Sequence, residues 1–357
     1  MFEALILLIS LIVITNLILF KGVKKISIGS KIDNSKLKIS VIIAFKNEEK
    51  NLPFLLKSIS FIGYSVNDFE ILFVNDNSND DSEKIILQSG LKNFRVIPAK
   101  DKKLPGKKGA LEIGIKNAKY DYIAVTDADC QLQPNWLNSI SNKFSEGYDL
   151  IFGFSPLVAN EKLISLISSY ENLRNFILYF SSVELGFPFG ATARSLAFKK
   201  KVYENVNGYK NTTETLSGDD DLFIRECVKK NFRIGYFLTH NSFVISKSSN
   251  SFSDYFKRKK RHLKTSHYYL FRHKFILGCW YSINLFATLT VFLIPFSKLF
   301  TLPLLIKLLF DVTIIIKIKN IFKHDFTPLK IILYEIIYQF LVPINFINSL
   351  LTKDKWK

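Results

Sequence analysis

The apolar residues of this chain are concentrated at its two ends, and that distribution limits which part of it can fold in water. Phe2 to Phe20 carries one charge, Glu3, and is long enough to cross the hydrocarbon core of a bilayer. Phe275 to Phe296 is a second such stretch. Leu299 to Ile316 is a third, interrupted by Lys307 and Asp311, and Ile331 to Leu351 is a fourth, carrying Glu335. Lys307 and Asp311 stand four apart, so on a helix they are expected to pair, which lowers the cost of burying both. The expected organisation is an N-terminal transmembrane anchor over 1–25, a soluble domain over 38–250, a basic juxtamembrane helix over 251–274, and about three C-terminal transmembrane helices over 275–351.

Charge sets the expected orientation. Lys21, Lys24 and Lys25 directly follow the first stretch, whose start is not basic and which no small-residue cleavage site follows. It reads as an uncleaved anchor whose end, with the domain beyond it, is cytosolic at the cell membrane. The basic loop of Lys317, Lys319, Lys323, His324 and Lys330 should be cytosolic too. Lys353, Lys355 and Lys357 then fall outside, against the rule, unless one C-terminal segment is interfacial or re-entrant. Across the chain 49 Lys and Arg outnumber 31 Asp and Glu, a net charge of +18. Such cations suit anionic lipid or substrate phosphate; no nucleic-acid reader motif is present, and no nucleic-acid partner is expected. Cys130, Cys227 and Cys279 form no CxxC pair and give no sign of a disulfide framework or zinc site.

The middle of the chain alternates short apolar runs with helical patterns. Ile39–Ala44, Glu70–Val74, Phe94–Ile97 and Tyr122–Val125 read as buried strands, with helices near Leu52–Ile59, Ser82–Gln88 and Gly109–Ala118. This predicts an α/β class built on a mainly parallel sheet flanked by helices. In such a sheet ligands sit beyond the carboxyl ends of the strands. Acid-rich turns stand there: Phe45-Lys-Asn-Glu-Glu49, Asn75-Asp-Asn-Ser-Asn-Asp80 and Asp127-Ala-Asp129. Taken singly, each could be no more than a helix cap or an Asx-turn.

Their order carries more. Val41–Glu49, Val74–Asp80, Gly106-Lys-Lys-Gly-Ala-Leu111 and Thr126-Asp-Ala-Asp129 resemble, in sequence, the opening motifs of the family 2 glycosyltransferases, which have the GT-A fold. Gly218-Asp-Asp-Asp-Leu222 is similar to the family's ED-containing acceptor-site motif. Arg258-Lys-Lys-Arg-His262 resembles the QxxRW motif of its membrane-bound members. The resemblance spans about residues 38 to 270. It implies a GT-A nucleotide-sugar domain with transmembrane helices at both ends, acting on cell-envelope glycan.

The chemistry fits that implication. A nucleotide sugar, a UDP-sugar for preference, must release a diphosphate that leaves with extra negative charge. Asp127 and Asp129, two apart at a strand end, suit a divalent cation, Mg2+ or Mn2+, that offsets it. The resemblance makes Asp129 the principal metal ligand and places Asp127 nearer the ribose and diphosphate. It also implies that Ala44, Phe45, Asn47 and Glu48 line the base and ribose, that Asp76 reads the base edge, and that Lys107 meets the base or a phosphate. Aligning Leu222 with the family's leucine puts Asp219 at the position of the catalytic base, with Asp220 the alternative register, because Gly218 stands where the family commonly has Glu. Arg258, Arg261 and His262 are the catalytic candidates of the second motif. In that motif Arg258 replaces Gln and His262 replaces the Trp that helps processive synthases bind acceptor sugar.

The surrounding Lys257, Lys259, Lys260 and Lys264 suit anionic lipid. Lys162 to Phe180 is expected either at the membrane surface or packed on the sheet. The reading that follows is inverting, metal-dependent transfer to a lipid-linked or glycan acceptor at the cytosolic membrane face. A processive polysaccharide synthase and a non-catalytic membrane-surface module are the alternatives.

Overall fold

The computed structural model describes residues 2–29 and 36–350; Leu351 and the terminal lysines lie outside the described residues. The chain begins with α1 (Phe2–Lys25), β1 (Ile39–Phe45), α2 (Leu52–Ser60), β2 (Phe69–Asn75), α3 (Ser82–Leu87), β3 (Phe94–Pro98), α4 (Gly106–Asn117) and β4 (Tyr122–Val125). It continues through β5 (Gln131–Leu132), α5 (Trp136–Ser145), β6 (Leu150–Gly153), β7 (Leu157–Val158), α6 (Leu163–Glu184), β8 (Leu196–Lys199), α7 (Lys200–Asn205), α8 (Asp221–Lys229), β9 (Ile234–Phe237) and β10 (Val244–Lys247). It ends with α9 (Phe252–Ser266), α10 (Phe271–Leu289), α11 (Thr301–Lys317), α12 (Lys319–Phe322) and α13 (Pro328–Leu350). These elements form two compact units. A sheet unit spans Ile28–Asn160 and Pro188–Ser249, and a helical unit gathers α1, α6 and α9 to α13.

Seven strands of the sheet unit lie in the order β3-β2-β1-β4-β8-β6-β9. All neighbours are parallel except β8, which runs antiparallel to β4 and to β6. Parallel strands covered on both faces need apolar side chains on both, which is why β1 reads as an almost unbroken apolar run. Ile39, Val41, Ile42 and Ile43 are all buried. On α4, a Cβ at Gly114 would come 2.5 Å from Ile42 Cγ2, so the missing side chain lets that helix settle on β1. The chain steps outward from β1 to β3, then returns to the other side of β1 as β4. This reversal opens a crevice past the ends of β1 and β4, where ligands bind in sheets of this kind.

The four predicted strands appear within a residue of their expected ends. One helix differs more: α4 begins at Gly106 rather than Gly109. Gly106 has φ +63°, a left-handed setting that glycine adopts without strain, and it turns the loop directly into the helix. Lys107 and Lys108 therefore sit on the first turn of α4 and not in a loop.

In the helical unit, four segments are long and apolar enough to cross a membrane: Phe2–Lys25, Phe271–Leu293, Lys298–Lys317 and Pro328–Leu350. Lys307 and Asp311 pair at 2.7 Å as expected, but they belong to a larger ring. Lys307 also meets Glu335 at 2.7 Å, and Arg174 reaches Asp311 at 2.8 Å and Glu335 at 2.9 Å. Tyr170 and Gln339 donate to the remaining positions of Glu335. Two cations and two carboxylates thus close on each other with no charge left over. Arg174 and Tyr170 come from α6, which corrects the expectation that this segment packs on the sheet. It is buried around most of its circumference and packs within the helical unit against α1, α9 and α13.

Candidate active site

The loops after β1 and β2 are fastened to one another. Asn47 (φ +56°) donates its backbone N–H to Ser78 Oγ at 3.1 Å and accepts from Asn79 N–H at 2.8 Å through Oδ1. Glu48 donates its N–H to Ser82 Oγ at 2.8 Å, and its carboxylate accepts from Asn51 Nδ2 at 2.7 Å. Asn47 and Glu48 therefore fasten the two loops through both backbone and side chain. Ala44 and Phe45 end β1 in register with Val74 and Asn75. Asp76 is buried beside them, its N–H bonded to Phe45 O at 2.9 Å and its carboxylate paired with Lys102. Lys102 escaped the sequence reading, since nothing in the run Lys100-Asp-Lys-Lys103 marks which cation turns inward.

Past β4, Thr126 Oγ1 donates to Arg194 O at 2.8 Å and fixes the strand end that carries Asp127 and Asp129. Lys107 Nζ lies 2.6 Å from Asp127 and 2.7 Å from Asp219, so one ammonium joins acids 92 positions apart in sequence. Burial works against the charge of Lys107, but Asp127 and Asp219 together hold its pKa above the ordinary lysine value. Burial likewise opposes ionisation of Asp219, and Lys107 outweighs it, keeping that carboxyl below the usual range. Asp219 follows Gly218, whose φ of +84° suits glycine and explains why no glutamate stands there.

Asp220 behaves differently. Both its oxygens accept backbone N–H groups, from Asp221 at 2.7 Å and Ala193 at 3.0 Å, and it caps α8. Burial and the neighbouring Asp219 raise its pKa to about 6. Asp221 accepts from Ala191 N–H at 3.2 Å. Lys108, not singled out in the sequence, donates to the carbonyls of Thr212 and Thr215 and ties α4 to the segment before the acidic turn.

Asp127, Asp129 and Cys130 offer ligand atoms within 4.8 Å of one another. Burial, then Asp129, pushes the Cys130 thiol well above its ordinary pKa, and its Sγ donates to Asp129 Oδ1 at 3.6 Å. The thiol is thus held neutral, which leaves two carboxylates as the charged groups that could hold a metal. That set fits a hard divalent cation such as Mg2+ or Mn2+ rather than a thiophilic metal.

Arg258, Arg261 and His262 lie on α9 in the helical unit. Arg258 pairs with Asp254 at 3.1 Å, while Arg261 and His262 are exposed. Lys259 corrects the lipid expectation, for it turns inward to Glu171 at 2.9 Å, and Tyr255 donates to the same carboxylate at 2.8 Å.

A mainly parallel sheet with acidic residues beyond the strand ends at its switch point is an architecture that binds nucleotides and other phosphate ligands. The sequence matches Glycosyl transferase family 2 over residues 40–203 and Glycosyl transferase family group 2 over residues 122–322, the latter more than half of the chain. The chain belongs to the family 2 glycosyltransferases. Among solved structures it is similar to the mannosyltransferase PcManGT from Pyrobaculum calidifontis in complex with GDP-Man and Mn2+. The identity is 13%, over 98% of this chain and 85% of that one, with a TM-score of 0.58. A similarity to S. aureus TarS 1-349 in complex with UDP-GlcNAc has 17% identity over 64% and 66% of the two chains, with a TM-score of 0.46. The first likeness supports the GT-A-type fold.

Proposed function

We propose that the chain transfers a sugar, with inversion, from a nucleotide sugar to a lipid-linked or glycan acceptor at the cytosolic face of the cell membrane. The observation that carries this reading is the single ion-paired cluster of Asp127, Lys107 and Asp219. It joins the acid expected on the donor side to the acid expected on the acceptor side.

Asp219 is the base in this reading: it accepts the proton of the acceptor hydroxyl as that oxygen attacks the anomeric carbon. Its pairing with Lys107 keeps it ionised, and the backbone bonds that occupy Asp220 favour Asp219 between the two. Asp127 and Asp129 would hold the divalent cation, which supplies charge to offset the departing diphosphate when it is bound. Lys107 stands where phosphate oxygens can exchange for its carboxylate partners. Ala44, Phe45, Asn47, Glu48 and Asp76 form the nucleotide rim, while Arg258, Arg261 and His262 serve the acceptor side and the diphosphate.

The test incubates membranes containing the enzyme with labelled UDP-sugars and, beside them, GDP-mannose, with and without EDTA. Label entering lipid or glycan from one donor, and lost on chelation, is the expected result. Incorporation that chelation leaves intact would remove the metal from the scheme.

A further inference from the structure

We infer that Lys107 is an exchangeable counter-ion that makes metal binding depend on the donor. Its ammonium competes with a divalent cation for Asp127, and the donor's diphosphate ends that competition by taking the ammonium up. The inference rests on the proposed function, in which Asp127 and Asp129 hold the cation.

Two cations need the same carboxylate. The ligand atoms of Asp127 and Asp129 belong to a group that lies within 4.8 Å. Asp127 Oδ1 also stands 2.6 Å from Lys107 Nζ, which reaches Asp219 Oδ2 at 2.7 Å. Both oxygens are buried, and among the described residues they have no hydrogen-bond partner besides that ammonium. A divalent cation on Asp127 is therefore ligated beside a positive charge, and like charges at this range weaken each other's binding.

The mounting of Lys107 adds to its need for anions. It is the second residue of α4, at the positive end of a helix with no acid in its first turn and no capping side chain. A cation is disfavoured there, so the anions in front of it hold it in place. An oxyanion is favoured at the same end, where the backbone dipole and the ammonium act in one direction.

The next residue shows why Lys107 can change partners. Lys108, 2% exposed, donates to the carbonyls of Thr212 and Thr215, and Thr215 Oγ1 donates to Ser217 O at 2.7 Å. The turn carrying Asp219 is thereby fastened to α4. Asp220 and Asp221 fasten it again, to the backbone of Ala193 and Ala191. Of two adjacent lysines, one is a fixed tether and the other, 19% exposed, is not needed to hold the turn. Lys107 can thus pass from carboxylate to phosphate without displacing the acid that serves as base. Metal and donor binding are then coupled, each strengthening the other by the same factor.

The full-length protein in detergent is titrated in two separate arms, so that metal–nucleotide complexes in solution do not enter. In the first, Mn2+ is added without nucleotide and the free ion is followed by electron spin resonance. Lys107→Gln keeps a hydrogen-bond donor between the acids but removes the charge, and it should bind Mn2+ about tenfold more tightly than the parent. Lys107→Arg should stay near the parent, and Lys107→Met gives the same comparison if the Gln variant does not fold. Adding Asp129→Ala to Lys107→Gln should abolish the gain. In the second arm UDP, GDP and inorganic pyrophosphate are titrated by calorimetry in EDTA, and Lys107→Gln should bind them about tenfold more weakly. Unchanged or weaker Mn2+ binding in both neutral variants, a gain that survives Asp129→Ala, or unchanged diphosphate binding would overturn the inference. Absence of Mn2+ binding in the parent and every variant would instead overturn the metal reading on which it rests.

Discussion

The two units of this protein bury charge in opposite ways. In the helical unit Arg174, Lys307, Asp311 and Glu335 are matched two against two, with side chains at most 7% exposed. In the sheet unit one ammonium, Lys107, serves two carboxylates, Asp127 and Asp219, with side chains 13 to 28% exposed, and Asp129 adds a third acid nearby. A neutral closed ring offers a ligand nothing. An acid-rich cluster at an open crevice has an unmet demand for positive charge, the property expected of a site that takes a cation and phosphate. Breaking the ring should cost stability, and breaking the cluster should cost chemistry.

The largest effect is expected at Asp129. Asp129→Ala should abolish transfer and leave the thermal unfolding temperature near the parent's, because it removes the proposed ligand of the cation and no ion pair. Retained activity in Mg2+ or Mn2+ would place the metal elsewhere.

Glu335→Ala makes the complementary break. It leaves Arg174 and Lys307 sharing one carboxylate in a low-dielectric interior, and about 3–5 kcal/mol of stability should be lost. Unfolding in detergent reads this directly, and an unchanged midpoint would show the ring to be dispensable.

A smaller effect concerns Asp220. The folded carboxyl keeps its proton to about pH 6, held up by burial and then by Asp219, whereas an unfolded aspartate loses it near pH 4. The folded state binds more protons between those values, so this group's contribution to stability falls as pH rises from 4 through 6. The stability of Asp220→Asn relative to the parent should therefore improve across that window. Parallel curves for the two proteins would contradict the assignment.

Gly218→Ala should have the smallest effect, about 1–2 kcal/mol, from placing a Cβ at φ +84°. A neutral result in the same unfolding measurement would mean that the turn relaxes.

The sequence revealed these features unevenly. Strands such as β1 were readable because burial on both faces writes an apolar run. Asp127 and Asp129 were readable from their place at a strand end. The contact of Lys107 with Asp219 was not, because it depends on how α4 and the turn before α8 meet in space. Lys307, Asp311 and Glu335 stood out as charges inside apolar stretches. Arg174 did not, since its segment looked amphipathic and only the packing of α6 reveals what its guanidinium neutralises. Likewise no periodicity separates Lys259, turned onto Glu171, from the exposed Lys257 two residues before it.

The central claim, that the Lys107 cluster is a working site and the Arg174 ring is not, is tested most directly at Asp219. Asp219→Asn should lower turnover about 10²–10⁴-fold because the proton acceptor is lost. Calorimetry should find donor nucleotide affinity not weakened, since Lys107 loses one of the two carboxylates that compete with phosphate for it. Near-parent turnover in Asp219→Asn, with Asp220→Asn inactive, would move the base by one residue. Full turnover in both variants would contradict the account.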